Sequence, residues 1–138
     1  MPTYMLDTNI CIYLLKQQPP QVAERMANCF EGEVVLSAIT LAELEYGVSV
    51  SSEPEAARRA LDALVSRLPV MPYTASAAHA YGPIRAATRQ RKADALDKLI
   101  ASHARSIGAI VVTSNVRDFE AYPGIQIEDW TKPAVIGN

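Results

Sequence analysis

The amino-acid sequence predicts an α/β domain of three layers, with a central, mostly parallel sheet flanked by helices. Short apolar runs alternate with helical patterns along the whole chain, and strands separated by helices pair in parallel through crossovers. The 138 residues are 49% apolar and 20% charged, a composition that buries a core rather than staying disordered. At this length about two-thirds of the unfolded surface is hidden on folding. No repeat, linker or low-complexity tract divides the chain, so one domain is expected over residues 1–138, its core at about 3–130.

Residues 3–6, TYML, read as a short buried strand. A helix from Thr8 to Lys16 stops ahead of Pro19 and Pro20, because the residue before a proline avoids helical backbone. Pro20 suits the first position of a second helix, which runs to Phe30 and is closed by Gly32. EVVLSAI, residues 33–39, is the second strand. TLAELEYGV follows as a helix with Thr40 at its N-cap, ending near Gly47 or running on to Ser51. EPEAARRALDALVSRL is amphipathic, with Ala57, Leu61, Leu64, Val65 and Leu68 on one stripe. PVMPY is a short extended link. Residues 74–90 form a helix with Pro83 as a kink site. The helix over 94–107 ends at Gly108. AIVVT, 109–113, is the clearest buried strand, followed by a helical piece at 116–120 and a weak strand near Ile125–Glu128.

The bulk properties exclude several classes. Two cysteines, Cys11 and Cys29, are no disulfide framework; both fall in helical patterns and read as buried thiols of a reducing compartment. No basic leader precedes the first apolar run, which Asp7 interrupts. No stretch reaches the about eighteen apolar residues of a membrane span, so a cytoplasmic protein is expected. A net charge of −2 gives no global attraction for nucleic acid. Arg85, Arg89, Arg91 and Lys92 nonetheless cluster, with Arg105 nearby, as either a local basic patch or a solvated helix face.

In parallel sheets, ligands bind beyond the carboxyl ends of the strands. Asp7 stands at such an end, either as a helix cap or as a carboxylate aimed at a site; Asp7, Thr8 and Asn9 supply three cap-competent side chains where one suffices. Glu43 lies three residues after Thr40, the spacing of a capping box. Glu45 is nearer the Leu41, Leu44, Val48 stripe, and local geometry does not choose between the two glutamates. Asp97 sits at the edge of a stripe of Leu96, Leu99, Ile100, His103 and Ile107, with Asp94 as a cap beside it. A carboxylate there is costly unless paired or bound to a cation. Asn115 and Asp118 follow the AIVVT strand in a turn whose composition is ordinary loop chemistry. Acids converging at neighbouring strand ends persist only with raised pKa values or with cations between them. Oxygen donors without thiolate or a His pair favour Mg²⁺ or Mn²⁺ over Zn²⁺.

The blocks YMLDTNICIYLL, LSAITLAELEYGV, LDKLIASHA and VVTSNVRDFEAYPGIQIEDW, in this order over residues 3–130, resemble those of VapC-type PIN-domain proteins. The resemblance implies a PIN fold and the toxin of a type II toxin–antitoxin pair, a metal-dependent endoribonuclease. It implies that Asp7, Glu43 and Asp97 are catalytic metal ligands, and it selects Glu43 over Glu45 because Glu43 precedes Leu and lies four residues before Gly47. The fourth position falls to Asn115 or Asp118, with Asp118 preferred as a carboxylate. Thr8, Asn9, Thr113 and Asn115 would support the site by hydrogen bonding. One or two Mg²⁺ ions, RNA held by Arg85, Arg89, Arg91, Lys92 and Arg105, an antitoxin covering the acidic groove and a homodimer through the early helices complete the expectation. The family's usual glycine three residues before the third acid is Asp94 here, which either adds an outer ligand or weakens phosphate approach.

Two rival readings remain. An Asp-based phosphotransfer enzyme would use the acid after the first strand, but neither D-x-D nor a late lysine after a strand is present. A non-catalytic PIN-fold binding module would not need the acids. His79 lacks a partner at metal spacing, and His103 and Trp130 read as core residues. Tyr46, Tyr73, Tyr81 and Tyr122 are expected in packing before base stacking.

Overall fold

A computed structural model describes residues 2–133. Five strands run β1 (Tyr4–Leu6), β2 (Val34–Ser37), β3 (Val70–Met71), β4 (Ile110–Val112) and β5 (Gln126–Glu128). They form one sheet of order β3-β2-β1-β4-β5, and every pairing is parallel. The first strand made is therefore the central one, with Met5 opposite Val35 on one side and Val111 on the other.

Successive strand side chains point to opposite faces, and both faces are covered. Leu6, Val34, Leu36 and Val112 face a core completed by Ile10, Val22, Met26, Leu44, Leu61 and Leu64. These come from α1 (Thr8–Lys16), α2 (Pro20–Ala27), α3 (Ala38–Ser49) and α4 (Pro54–Val65). Met5, Val35 and Val111 face Ile84, Ile100, Ala101, Ala104 and Phe119, carried by α5 (Ala75–Ala87), α6 (Ala95–Ile107) and α7 (Val116–Phe119). The predicted three-layer α/β class is what is found. Trp130 closes the first core at 1% exposure, tilted against Tyr4 and under the Arg25 guanidinium.

Several local expectations are corrected. Thr40 is not a cap: it lies buried inside α3, which begins at Ala38 because Ser37 Oγ accepts the Ile39 N–H at 3.1 Å. That removes the capping box with Glu43. The link PVMPY contains the edge strand β3, hydrogen-bonded to β2. The second helix stops at Ala27, leaving Phe30 exposed and Cys29 half-buried beyond its end. Leu96 and Ile107 are exposed, and the buried face of α6 is Lys98, Ile100, Ala101, Ser102, His103 and Ala104. Tyr46 is 69% exposed rather than packed. His103 is buried as expected, with Nδ1 2.7 Å from Ser37 Oγ; burial holds its pKa below the ordinary value. Among the described residues no helix is long and apolar enough to cross a membrane.

Candidate active site

Asp7 is the last residue before α1 and the first beyond β1. Its Oδ1 accepts the Ile10 N–H at 2.9 Å, so the capping role is real. The side chain is only 4% exposed. Burial pushes its pKa up; the Thr113 hydroxyl and the Ile10 amide pull it down, and the Glu43 and Asp129 charges push it up again. A cap at a helix start needs no such burial, so capping alone does not account for Asp7.

Glu43 reaches the same place from α3. Thr8 Oγ1 donates to Glu43 Oε1 at 2.7 Å, joining the first turn of α1 to the middle of α3. Glu45 points elsewhere: Arg58 of α4 holds it through two hydrogen bonds, one at 3.0 Å. Glu45 is thus engaged by a cation thirteen residues along the chain, which no local pattern reveals.

Asp97 stands in the first turn of α6. Its pKa is pushed up to about 6, first by burial and then by the charges of Asp7, Glu43, Asp94 and Asp118. Four acids from four separate segments therefore act on one carboxyl group. Asp118 of α7 accepts a 2.8 Å hydrogen bond from Asn115 Nδ2, while the Asn115 N–H donates to Thr113 Oγ1 at 2.9 Å. The two candidates for the fourth position are thus a bonded pair. Asn9 lies exposed on the outer side of the first turn.

The basic residues do not act as one patch. Arg85, Arg89 and Lys92 are exposed around the end of α5, just ahead of α6. Arg91 turns inward and donates to the Asp118 carbonyl at 2.9 Å. Arg105 lies near the other end of α6, against the Pro123 carbonyl and the backbone of Gly124, and so does not join them. Sequence reasoning missed Lys98, a buried ammonium facing Asp94, and Asp129, a further acid just past β5. Lys98 is signalled by its place four residues after Asp94; Asp129, by its place after a strand.

Among the described residues, Asp7, Glu43 and Asp97 form no ion pair with Lys or Arg. Nor do three carboxylate, thiol or imidazole groups crowd one point tightly enough to cage a cation. The carboxylates nonetheless raise one another's pKa, as neighbouring like charges do. The donors are all hard oxygens, which fits a divalent cation of the Mg²⁺ or Mn²⁺ type.

An all-parallel sheet with acids gathered beyond its carboxyl edge places a candidate site where ligands bind in this architecture. The PIN domain family model matches residues 4–125. The tRNA(fMet)-specific endonuclease VapC of Shigella flexneri is 44% identical over 95% of this chain and 100% of its own. Ribonuclease VapC2 of Rickettsia felis is 36% identical over 94% and 98%. The DNA-bound VapBC crystal structure from Salmonella typhimurium superposes with a TM-score of 0.86 at 43% identity, covering 94% and 99%. The chain belongs to the PIN-domain family, among its VapC ribonucleases.

Proposed function

We propose that this chain is the endoribonuclease toxin of a type II toxin–antitoxin pair, hydrolysing RNA phosphodiester bonds with the help of Mg²⁺ or Mn²⁺. The observation that carries the reading is Asp97, whose carboxyl group feels four other acids and no paired cation. Asp7, Glu43, Asp97 and Asp118 would hold one or two ions. A bound divalent ion lowers the pKa of its water and stabilises the leaving oxygen. The protein's own part is orientation: Thr8 fixes Glu43, Thr113 favours the ionised Asp7, and Asn115 fixes Asp118. Arg85, Arg89 and Lys92 are free to neutralise flanking phosphates.

The similarity to a tRNA(fMet)-specific endonuclease makes tRNA the first substrate to offer. The similarity to VapBC complexes supports a cognate antitoxin partner; its covering the acidic groove and a homodimer through the early helices belong to the same proposal. The test is cleavage of purified tRNA and other cellular RNA, with Mg²⁺ or with EDTA. Wild-type protein cleaves only with the ion, and Asp7→Asn and Asp97→Asn proteins fold but do not cleave. Undiminished cleavage in EDTA removes the metal, and full activity in either variant removes that residue.

A further inference from the structure

Strand pairing fixes Asp7 and Thr113 relative to each other, but Asp97 and Asp118 stand on α6 and α7, which no ladder joins. A set of side chains joins them instead. Lys98, 4% exposed, places its ammonium 2.9 Å from Asp94 Oδ1 and donates to the carbonyls of Thr88 at 3.2 Å and Arg91 at 2.9 Å. The approach to Oδ1 lies outside hydrogen-bond geometry, so that contact is ionic. The other oxygen, Asp94 Oδ2, accepts the Tyr122 hydroxyl at 2.6 Å. The Arg91 guanidinium lies over the Tyr122 ring, 5.9 Å from its centroid, and 4.0 Å from Asp94 Oδ2. It then donates to the Asp118 carbonyl at 2.9 Å.

The contacts reach the site at both sides: Lys98 adjoins Asp97, and Arg91 grips the backbone carbonyl of Asp118. It also answers what Asp94 does in place of the family's glycine. Both of its oxygens are engaged within the protein, so it is neither a spare ligand nor a free negative charge facing a phosphate. Lys98 holds it in that state.

We propose that Arg91, Asp94, Lys98 and Tyr122 form a strut that sets Asp118 against Asp97, which makes Arg91 a positioning residue for cleavage and not a phosphate ligand. The inference rests on the ribonuclease reading of the same site. A lysine cannot both stack on the ring and reach the carbonyl as a planar guanidinium does.

The experiment compares Arg91→Lys and Arg91→Met with wild type in steady-state RNA cleavage at several salt concentrations. The strut predicts that both variants lose kcat by roughly 10–100-fold, as removal of outer supporting contacts does at metal sites. KM and the salt dependence stay as in wild type. Retained kcat with a raised KM, rescued by Lys and with a shallower salt slope for Met, identifies a phosphate ligand and overturns the strut. Two measurements independent of activity accompany this. In urea unfolding, the Asp94→Gly/Lys98→Gln double variant loses less than the two single variants together; additivity counts against the strut. In Tyr122→Phe, which keeps the ring in place, the Asn115 side-chain amide resonance shifts; an unmoved resonance also counts against it. A wild-type protein that cleaves no RNA defeats the ribonuclease reading, while the urea cycle and the resonance still decide the strut.

Discussion

Replacing Asp97 by Asn should stabilise this protein while abolishing its activity. The Asp97 carboxyl is displaced from 3.8 to about 6 by burial and by the charges of Asp7, Glu43, Asp94 and Asp118. At about 1.4 kcal/mol for each tenfold change in proton affinity, the displacement corresponds to about 3 kcal/mol. Solvent at the partly exposed side chain reduces this to about 2 kcal/mol. The folded state holds the proton more tightly than the unfolded chain, so stability falls as pH rises from about 4 to about 6 and stays lower above that. Asn is neutral throughout and escapes this loss. In EDTA at about pH 8, the variant should therefore unfold about 6–10 °C higher than wild type, or at a correspondingly higher urea concentration. Near pH 3.5 the advantage should largely vanish, because the wild-type carboxyl is then mostly protonated in both states. Mg²⁺ should raise the wild-type midpoint and leave the variant nearly unmoved, since a ligand stabilises only the state that binds it. A variant equal to or less stable than wild type at pH 8 in EDTA would refute the claim that these acids repel one another.

Glu43→Gln should abolish cleavage, whereas Glu45→Gln, which only breaks the Arg58 pair on the surface, should cleave RNA at the wild-type rate; a comparison of initial rates decides. Thr113→Val removes a buried hydroxyl that accepts the Asn115 N–H and favours the ionised Asp7. Urea unfolding should show a loss of about 1–3 kcal/mol, and an unchanged midpoint would contradict its role. Ser37→Ala deletes the α3 cap and the partner of His103 Nδ1. It should cost a similar ~1–3 kcal/mol, read as a fall in thermal midpoint, and no fall would mean that water replaces both contacts.

Much of this architecture was legible where a local rule and the tertiary structure agree. The limits of α1 follow from Asp7 ahead of Thr8 and the prolines beyond Lys16, and the structure ends the helix at Lys16. β4 was plain because its residues are apolar on both faces. The misses share a cause: each was settled by a contact from far along the chain. Thr40 fits a cap, but Ser37 takes the role, and its hydroxyl also meets His103, sixty-six residues away. β3 is two residues between prolines and becomes a strand only because β2 offers it an edge. Leu96 and Ile107 share a helical stripe with Ile100, yet the face of α6 turned to the sheet is rotated toward Ala101 and Ala104. Arg91 reads as one of four surface cations, and nothing nearby in sequence announces the Asp118 carbonyl that it grips.

The strand order bears on when the candidate site can assemble. Synthesis begins with the middle of the sheet, whereas β4, α6 and α7 are translated late. Until α6 and α7 are made, Asp7 has only Glu43 of its proposed acidic neighbours, since Asp97 and Asp118 are not yet in the chain. A product that stops before α6 lacks Asp97 and Asp118 and cannot assemble the proposed site. The complete set of acids is thus a late product of synthesis, and the surface that the proposed antitoxin would cover is complete only then.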